Sequence, residues 1–559
     1  MKHAITLCTL ALLVSGHTAI MAQQTSFKPG QTWNDTSGKA INAHAGCVVK
    51  DGDYYYWIGD RRSKNDCLGV GAYRSKDLLN WTDLGYAVKL QGNGRDDYQD
   101  FAAGRALYRP KIAYSEASGK WVMNVVWEND NKGEVGLVAF ATADRPEGPY
   151  TLDKVTSTYT SRTRDQAIFK DDDGKLYYQA CINGNQDMWN CLMTDDYLSP
   201  TSNSCVILPK SKYEAPALFR VDDLYFGLFS GCTSWDPNRS RYAWGRSLLE
   251  KWQYEKQFTD KTGSGMEFCT DDVQGNTYQS QSAYVYKVDG DSRKLIYIGD
   301  RWNSSNLESS KLIWLPISMR SGAPTVRWYD EWDLSVFDDM YRFKRADKIE
   351  DGDEVLLLEK RSNRFLSRPA NSFIIDDDND QSNMRFVITT TDRPYTYRLM
   401  DKATGRYLTS IYGSLRLGVA DDSDKQLWTF WLQDDGTYKI ENVNGQVCLT
   451  ISGSAPYAGT SVYLAKKADN LMQTFSVCFD SRQYPDKAEA PMFTNDYLDR
   501  IAKEKSQQEA EALAIRETAC SPDADAASPI YDLQGRRMPP GKQLRKGCFI
   551  SKGKKILIR

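Results

Sequence analysis

Three polar side chains between residues 165 and 281 of this chain occupy matched places in a repeated pattern. In four segments a basic residue leads into a tight turn rich in Asp and Gly and then an aromatic strand: VVKDGDYYYWIG from Val48, AIFKDDDGKLYYQA from Ala167, ALFRVDDLYFGLF from Ala217 and AYVYKVDGDSRKLIYIG from Ala283. Five or six positions earlier lie Ala45 before Lys50, Asp165 before Lys170, Glu214 before Arg220 and Gln281 before Lys287. A lone carboxylate at such a place is read as a surface or turn-capping group. An Asp, a Glu and a Gln at equivalent offsets form a constellation, and paired carboxylates at one site are suited to general acid and base chemistry.

The elements that must position them follow from the same repeat. Each copy reads as strand, turn, strand, and each is followed by a further strand pair such as VGAYRSKDLLNW or VGLVAFATADRPEGPY. A looser copy, KIAYSEASGKWVMNVVW, begins at Lys111 and places Tyr108 and Arg109 at the corresponding position. Five units at a spacing of about 50 to 60 residues predict an all-β fold that opens with a five-bladed β-propeller of four-stranded blades. Because the first strand of each blade runs along the central channel, the positions before each repeat converge on one funnel.

Composition narrows the partners. The 559 residues carry 71 Lys+Arg against 74 Asp+Glu, so charge supplies no attraction to nucleic acid or an anionic membrane. A neutral polar ligand suits the chain better, and its 15 Trp and 33 Tyr offer flat rings for stacking on sugars, although all-β proteins are aromatic-rich in any case. Met1-Lys2-His3, an apolar run from Ala4 to Val14 and small residues to Ala22 read as a cleavable signal peptide, residues 1–22. No later stretch is apolar enough to span a bilayer, so the expected location is secreted or periplasmic. Loss of Cys8 from the 12 Cys leaves an odd number, and Cys181 with Cys191 flank a hairpin they could bridge. With only 3 His and no clustered Cys/His spacing, neither a metal nor another cofactor is expected.

The strings SRTRDQAIFKDDDGK, YEAPALF, SGCTSWDPN, YQSQSAYV, IGDRWNSSNLESSKLIWLPI and RPKIAYSEASGKWVM resemble glycoside hydrolase family 43, most closely its exo-β-1,3-galactanase branch. The resemblance implies inverting hydrolysis of a polysaccharide or oligosaccharide, with Glu214 as general acid and Asp165 raising its pKa and orienting it. Most of the family supplies the base as an Asp in blade one, where this chain has His44-Ala45-Gly46. The galactanase branch shares that absence, and the Gln of its last blade, here Gln281, is the group expected to hold the water. On that reading Gln281 lies across the channel from Glu214 at roughly 6.5–9.5 Å. Tyr108 stands where the branch usually has Glu; Asp60 and Glu128 are carboxylates that could compensate, and Trp235 and Trp302 are the expected stacking platforms. The implied activity is release of galactose from β-1,3-galactan, with an α-L-arabinofuranosidase, a β-galactofuranosidase or a non-hydrolytic glycan-binding propeller as alternatives.

Beyond the propeller, expected over residues 30–335, the pattern changes. RFLSR, RYLTS and VCLTIS recur at Arg364, Arg406 and Val447, each followed by a strand ending near Phe386, Trp428 and Phe475. Three such repeats over residues 340–480 resemble a ricin-type β-trefoil like the family 13 carbohydrate-binding modules. Leu449 is followed by Thr450 rather than Asp, and only Gln426-Leu427-Trp428 keeps the full Q-x-W pattern, which leaves lectin and purely structural roles both open. A charged helix and linker (481–528) and a short C-terminal β tail (529–559) close the chain, the tail resembling a sorting or surface-retention signal.

Overall fold

The computed structural model describes residues 23–518, except 92–99, 102–103, 130–133, 160–162, 255–265, 270, 378–381, 422 and 454–456, and beyond them the strands Ile530–Tyr531, Gly547–Ser551 and Lys554–Ile558. The expected leader and the linker after residue 518 lie outside the described residues.

Five antiparallel sheets follow one another in simple meander order, as strands joined by tight turns require. Their inner strands are His44–Asp51, Ala106–Ser115, Arg164–Lys170, Tyr213–Val221 and Gln281–Lys287. These pack side by side around one axis, the last against the first, and so close the propeller. The closure is aromatic: Trp57 and Trp314 have ring centroids 4.7 Å apart, Phe27 stacks on Trp332 at 4.2 Å, and Trp33 sits edge-on to Trp314 at 5.1 Å. Rings of that size bury much apolar area and keep edge-to-face contacts, so they lock blades one and five without a covalent link.

Blade four departs from the four-stranded expectation. Among the described residues it has three strands, Tyr213–Val221, Leu224–Gly231 and Arg241–Gly245, and two isolated bridges, Trp244–Gln253 and Arg241–Glu267, stand where a fourth would run. Just before the first bridge, Trp252 is held to blade three, its backbone N–H donating to Ile207 O at 3.0 Å. Cys181 and Cys191 are both free thiols, so the hairpin they flank is not bridged. Strand register explains it: Cys181 lies opposite Met188, and Cys191 opposite Tyr178.

The second domain is a β-trefoil. Six strands, Glu354–Glu359, Phe386–Thr390, Thr396–Asp401, Trp428–Leu432, Tyr438–Asn442 and Thr474–Asp480, pair in a closed ring. Three hairpins beginning at Arg364, Arg406 and Val447 cap it. Phe386, Trp428 and Phe475 lie at the start of barrel strands, where the repeats had suggested strand ends. Each comes just after a single 3-10 turn and drops into the fully buried core. Gln426 explains the Q-x-W signature: it donates to Val419 O (2.7 Å) and Thr409 Oγ1 (3.2 Å) and accepts from Asp421 N–H (3.0 Å). Gln473 repeats that pattern on Lys466 O, Thr450 Oγ1 and Ala468 N–H, so Phe475 replaces Trp without loss of the motif's polar half.

The two domains share a core. Phe226 and Tyr297 of the propeller, Leu432 of the trefoil and Tyr497, Leu498 and Ile501 of the helix Asn495–Thr518 belong to one buried cluster. The helix is further tied to the barrel where Gln508 Nε2 donates to Phe430 O at 2.8 Å. Beyond it the three tail strands form a small antiparallel sheet.

Candidate active site

The inner strands do not run straight into the channel. At the mouth, Ala45, Arg109, Asp165 and Ala215 each adopt left-handed φ (50°, 51°, 30° and 54°). All four of these strands, in blades one to four, also carry a register shift there. Left-handed backbone costs a non-glycine residue roughly 1–2 kcal/mol. A bulge of this kind re-aims the next side chain, and its recurrence in four blades marks it as a device of the site. Gly46 follows from it: a Cβ there would lie 1.7 Å from Ile58 O, so no side chain fits beside Ala45.

The result is a pocket of about 290 Å³ at the channel mouth, lined by all eight side chains singled out in the sequence: Asp60, Tyr108, Glu128, Asp165, Glu214, Trp235, Gln281 and Trp302. Glu214 is 9 % exposed. Burial first, and then the charge of Asp165, push its carboxyl up to about 7, against the pull of Arg109. Asp165 is fixed from two sides, by Arg109 Nε at 2.9 Å and by the backbone N–H of Ala215 at 2.9 Å. Arg109 is therefore a hub that the residue spacing did not single out for a role. It also donates to Ser282 O at 3.0 Å and Gln281 Oε1 at 2.8 Å.

Gln281 departs from its expected place. Its Nε2 donates to Glu214 Oε1 at 3.1 Å, so it touches that carboxylate and does not face it across a water-sized gap. The cause is the pinning of its oxygen, which accepts from Arg109 Nη2 and, at 3.0 Å, from Trp302 Nε1. With the oxygen so held, the amide nitrogen must turn towards Glu214 and Ser230 Oγ, the latter at 3.0 Å. All four of its hydrogen-bonding positions are thus taken.

The blade-one side of the pocket is different. Ala45 brings no carboxylate; its backbone N–H donates to Asp300 Oδ2 at 2.9 Å and its carbonyl accepts from the buried Lys111 Nζ at 2.7 Å. Asp300 also holds His44 Nδ1 at 3.0 Å. Its signal was the second Ile-Gly-Asp-Arg string, Ile298–Arg301, which repeats Ile58–Arg61. Asp60, fully buried, receives Arg62 through Nε (2.9 Å) and Nη2 (2.6 Å) on Oδ2, while Oδ1 has no partner among the described residues. Arg62 lies over the Tyr108 ring at 5.2 Å. Trp235 and Trp302 meet edge to face at 5.2 Å, leaving Trp235 37 % exposed at the rim. Asn185, presented by the turn Asn183-Gly184-Asn185, adds an amide 3.4 Å from Glu214 Oε2; its Asn-Gly-Asn string signals the turn but not the contact.

The model of the glycosyl hydrolases family 43 matches residues 42–288. A solved family 43 β-1,3-galactosidase is 44 % identical, with a TM-score of 0.82, over 86 % of this chain and 100 % of its own. The chain belongs to glycoside hydrolase family 43. This family 43 chain is also similar to an exo-β-1,3-galactanase from Clostridium thermocellum, at 25 % identity and a TM-score of 0.50, over 81 % of this chain and 99 % of that one. A ricin-type β-trefoil lectin-domain-like model matches residues 382–465 of its second domain. A search of curated proteins finds no match. The family 43 chain is thus a glycosidase whose propeller carries the pocket, joined to a ricin-type trefoil.

Proposed function

We propose that this glycosidase is secreted and removes galactose from the non-reducing end of β-1,3-galactan with inversion. The observation that carries the reading is the pair Glu214 and Asp165: a buried carboxyl raised to about 7 beside one held by Arg109. A donor of that pKa is protonated near neutral pH and can protonate the leaving oxygen. The nature of the solved relatives supports galactan, and a pocket confined to the channel mouth suits attack at a chain end. No helix among the described residues is long and apolar enough to cross a membrane.

Gln281 lies on the acid's own side, where it steadies Glu214 and its neighbours. Water activation then falls to the carboxylates that line the blade-one and blade-two wall, Asp60 and Glu128. Inversion needs the acid and the base on opposite faces of the sugar, and these two carboxylates come from blades other than that of Glu214. Asp60 Oδ1, without a partner among the described residues, would accept a hydroxyl of the bound sugar or of the water. Trp235 and Trp302 would stack on the apolar sugar face at the rim.

The test is incubation of the purified protein with β-1,3-galactan, arabinan and arabinogalactan, with proton NMR of the first product. Free α-galactose as the initial anomer supports the reading. β-Galactose first, or arabinose as the only product, overturns it. Asp60→Asn and Glu128→Gln identify the water-activating group by which of them abolishes turnover.

A further inference from the structure

Blade five enters the channel unlike the other four. They each use one left-handed residue, whereas three consecutive non-glycine residues, Thr277, Tyr278 and Gln279, have φ of 58°, 54° and 61° just before Gln281. A left-handed turn of ordinary residues persists only where its surroundings over-determine it. Here they do. Asp272 Oδ2 accepts from the backbone N–H of Asn276 (2.6 Å) and Tyr278 (3.1 Å), and Asn276 Oδ1 from that of Gln279 (3.0 Å). Arg301, the neighbour of Trp302, directs Nη2 (2.7 Å) and Nε (3.2 Å) at Tyr278 O.

One restraint comes from the other domain. The Tyr278 hydroxyl donates to Asp271 and lies 3.0 Å from Val326 O. Asp271 in turn lies 3.7 Å from Nη2 of Arg364, the first residue of the first trefoil hairpin. Arg364 is held in place by Asp377 of the same lobe, 3.0 Å from its Nε, and the propeller's Arg327 reaches the same lobe by donating to Ser362 O at 3.1 Å. A continuous set of contacts therefore runs from the trefoil through Asp271 and Tyr278 to the turn that sets the position of Gln281 and its partner Trp302.

We propose that the trefoil helps to shape the pocket: Arg364, acting through Asp271 and Tyr278, is a positioning residue for the Gln281 amide that contacts Glu214. The inference rests on the assignment of Glu214 as the acid and adds to it a role for the second domain other than holding the substrate. Glu214 is faced by Asp165 from blade three, Arg109 from blade two, the Cys232 thiol of its own blade and the Gln281 amide of blade five. Of these, Gln281 is the one whose anchoring turn the trefoil reaches. Its N–H stabilises the ionised carboxylate, so loosening the turn raises the pH at which Glu214 titrates.

The test uses the full chain with Arg364→Ala, Arg364→Lys and Tyr278→Phe, the last keeping the ring against Trp328. Four quantities are read: the titration midpoint of Glu214 by carboxyl carbon NMR, assigned against Glu214→Gln; kcat and KM on a β-1,3-linked galactobiose; and Tm. The midpoint rises by about half a pH unit in Arg364→Ala and Tyr278→Phe. In the same variants kcat falls about three- to tenfold with KM within about twofold, and Arg364→Lys restores most of both. A midpoint equal to wild type in Arg364→Ala and Tyr278→Phe overturns the proposal, whether or not Tm falls. Because the midpoint is read without turnover, failure of the wild type to cleave a galactoside would sink the functional reading and leave this result to stand separately.

Discussion

The trefoil and the propeller each set glutamines at repeated positions, buried in the trefoil and half-buried at the propeller's pocket, and they use them differently. Gln426 and Gln473 bond mainly to backbone of their own lobe and hold loops against the barrel. Gln281 bonds to four side chains, Glu214, Ser230, Arg109 and Trp302, drawn from three blades. A backbone-bonded amide is fixed once the strands are formed. One bonded only to side chains depends on several tertiary placements at once and can exchange partners when a ligand arrives. Satisfied polar groups on backbone therefore point to architecture, and polar groups gathered from separate elements into one pocket, with an oxygen such as Asp60 Oδ1 that has no partner among the described residues, point to function.

The contrast is most exposed to failure at Glu214. Glu214→Gln keeps the shape and removes the transferable proton, so kcat should fall on the order of 10²–10⁴ while binding of galactose, followed by calorimetry, persists. Rates within a few-fold of wild type would remove Glu214 as the acid. Gln281→Ala should come next, lowering kcat about 10- to 100-fold through loss of positioning, with a smaller change in KM. Gln426→Ala is the control from the other domain. It should cost about 1–3 kcal/mol of stability in denaturant titrations, because it orphans the Asp421 N–H and the Val419 carbonyl, and leave kcat per folded molecule unchanged. If Gln426→Ala were to lower kcat as much as Gln281→Ala, the distinction between the two kinds of glutamine would collapse.

The smallest effect is a pH dependence. Glu214 in the folded protein titrates near 7 rather than 4.5, so between those values the folded state holds a proton that the unfolded chain has lost. Stability should therefore decline as pH rises through that window, and Glu214→Gln should be more stable than wild type at pH 8 by about 1–3 kcal/mol. Equal Tm values for the two proteins at pH 5 and pH 8 would contradict the raised pKa. Activity should fall on the alkaline side as Glu214 ionises.

The spacing of Asp165, Glu214 and Gln281 from a basic residue and a turn was enough to read the propeller, because a repeat that fixes strand phase also fixes which residues reach the axis. Three hairpin copies with their Q-x-W remnants were likewise enough for the trefoil, since burying an apolar face three times needs a closed barrel. What the sequence could not determine was direction within the funnel. Whether Gln281 faces Glu214 or touches it depends on Arg109 and Trp302, which reach its oxygen from blades two and five. The role of Arg109 as a hub, of Asp300 beneath Ala45 and of Asn185 beside Glu214 depends on chain segments that approach only when five blades close. The left-handed turn at Thr277–Gln279 lies deeper still, because no glycine marks it: its conformation is imposed by Asp272, Asn276, Arg301 and a second domain, and a local pattern cannot carry a strain whose compensation lies elsewhere in the fold.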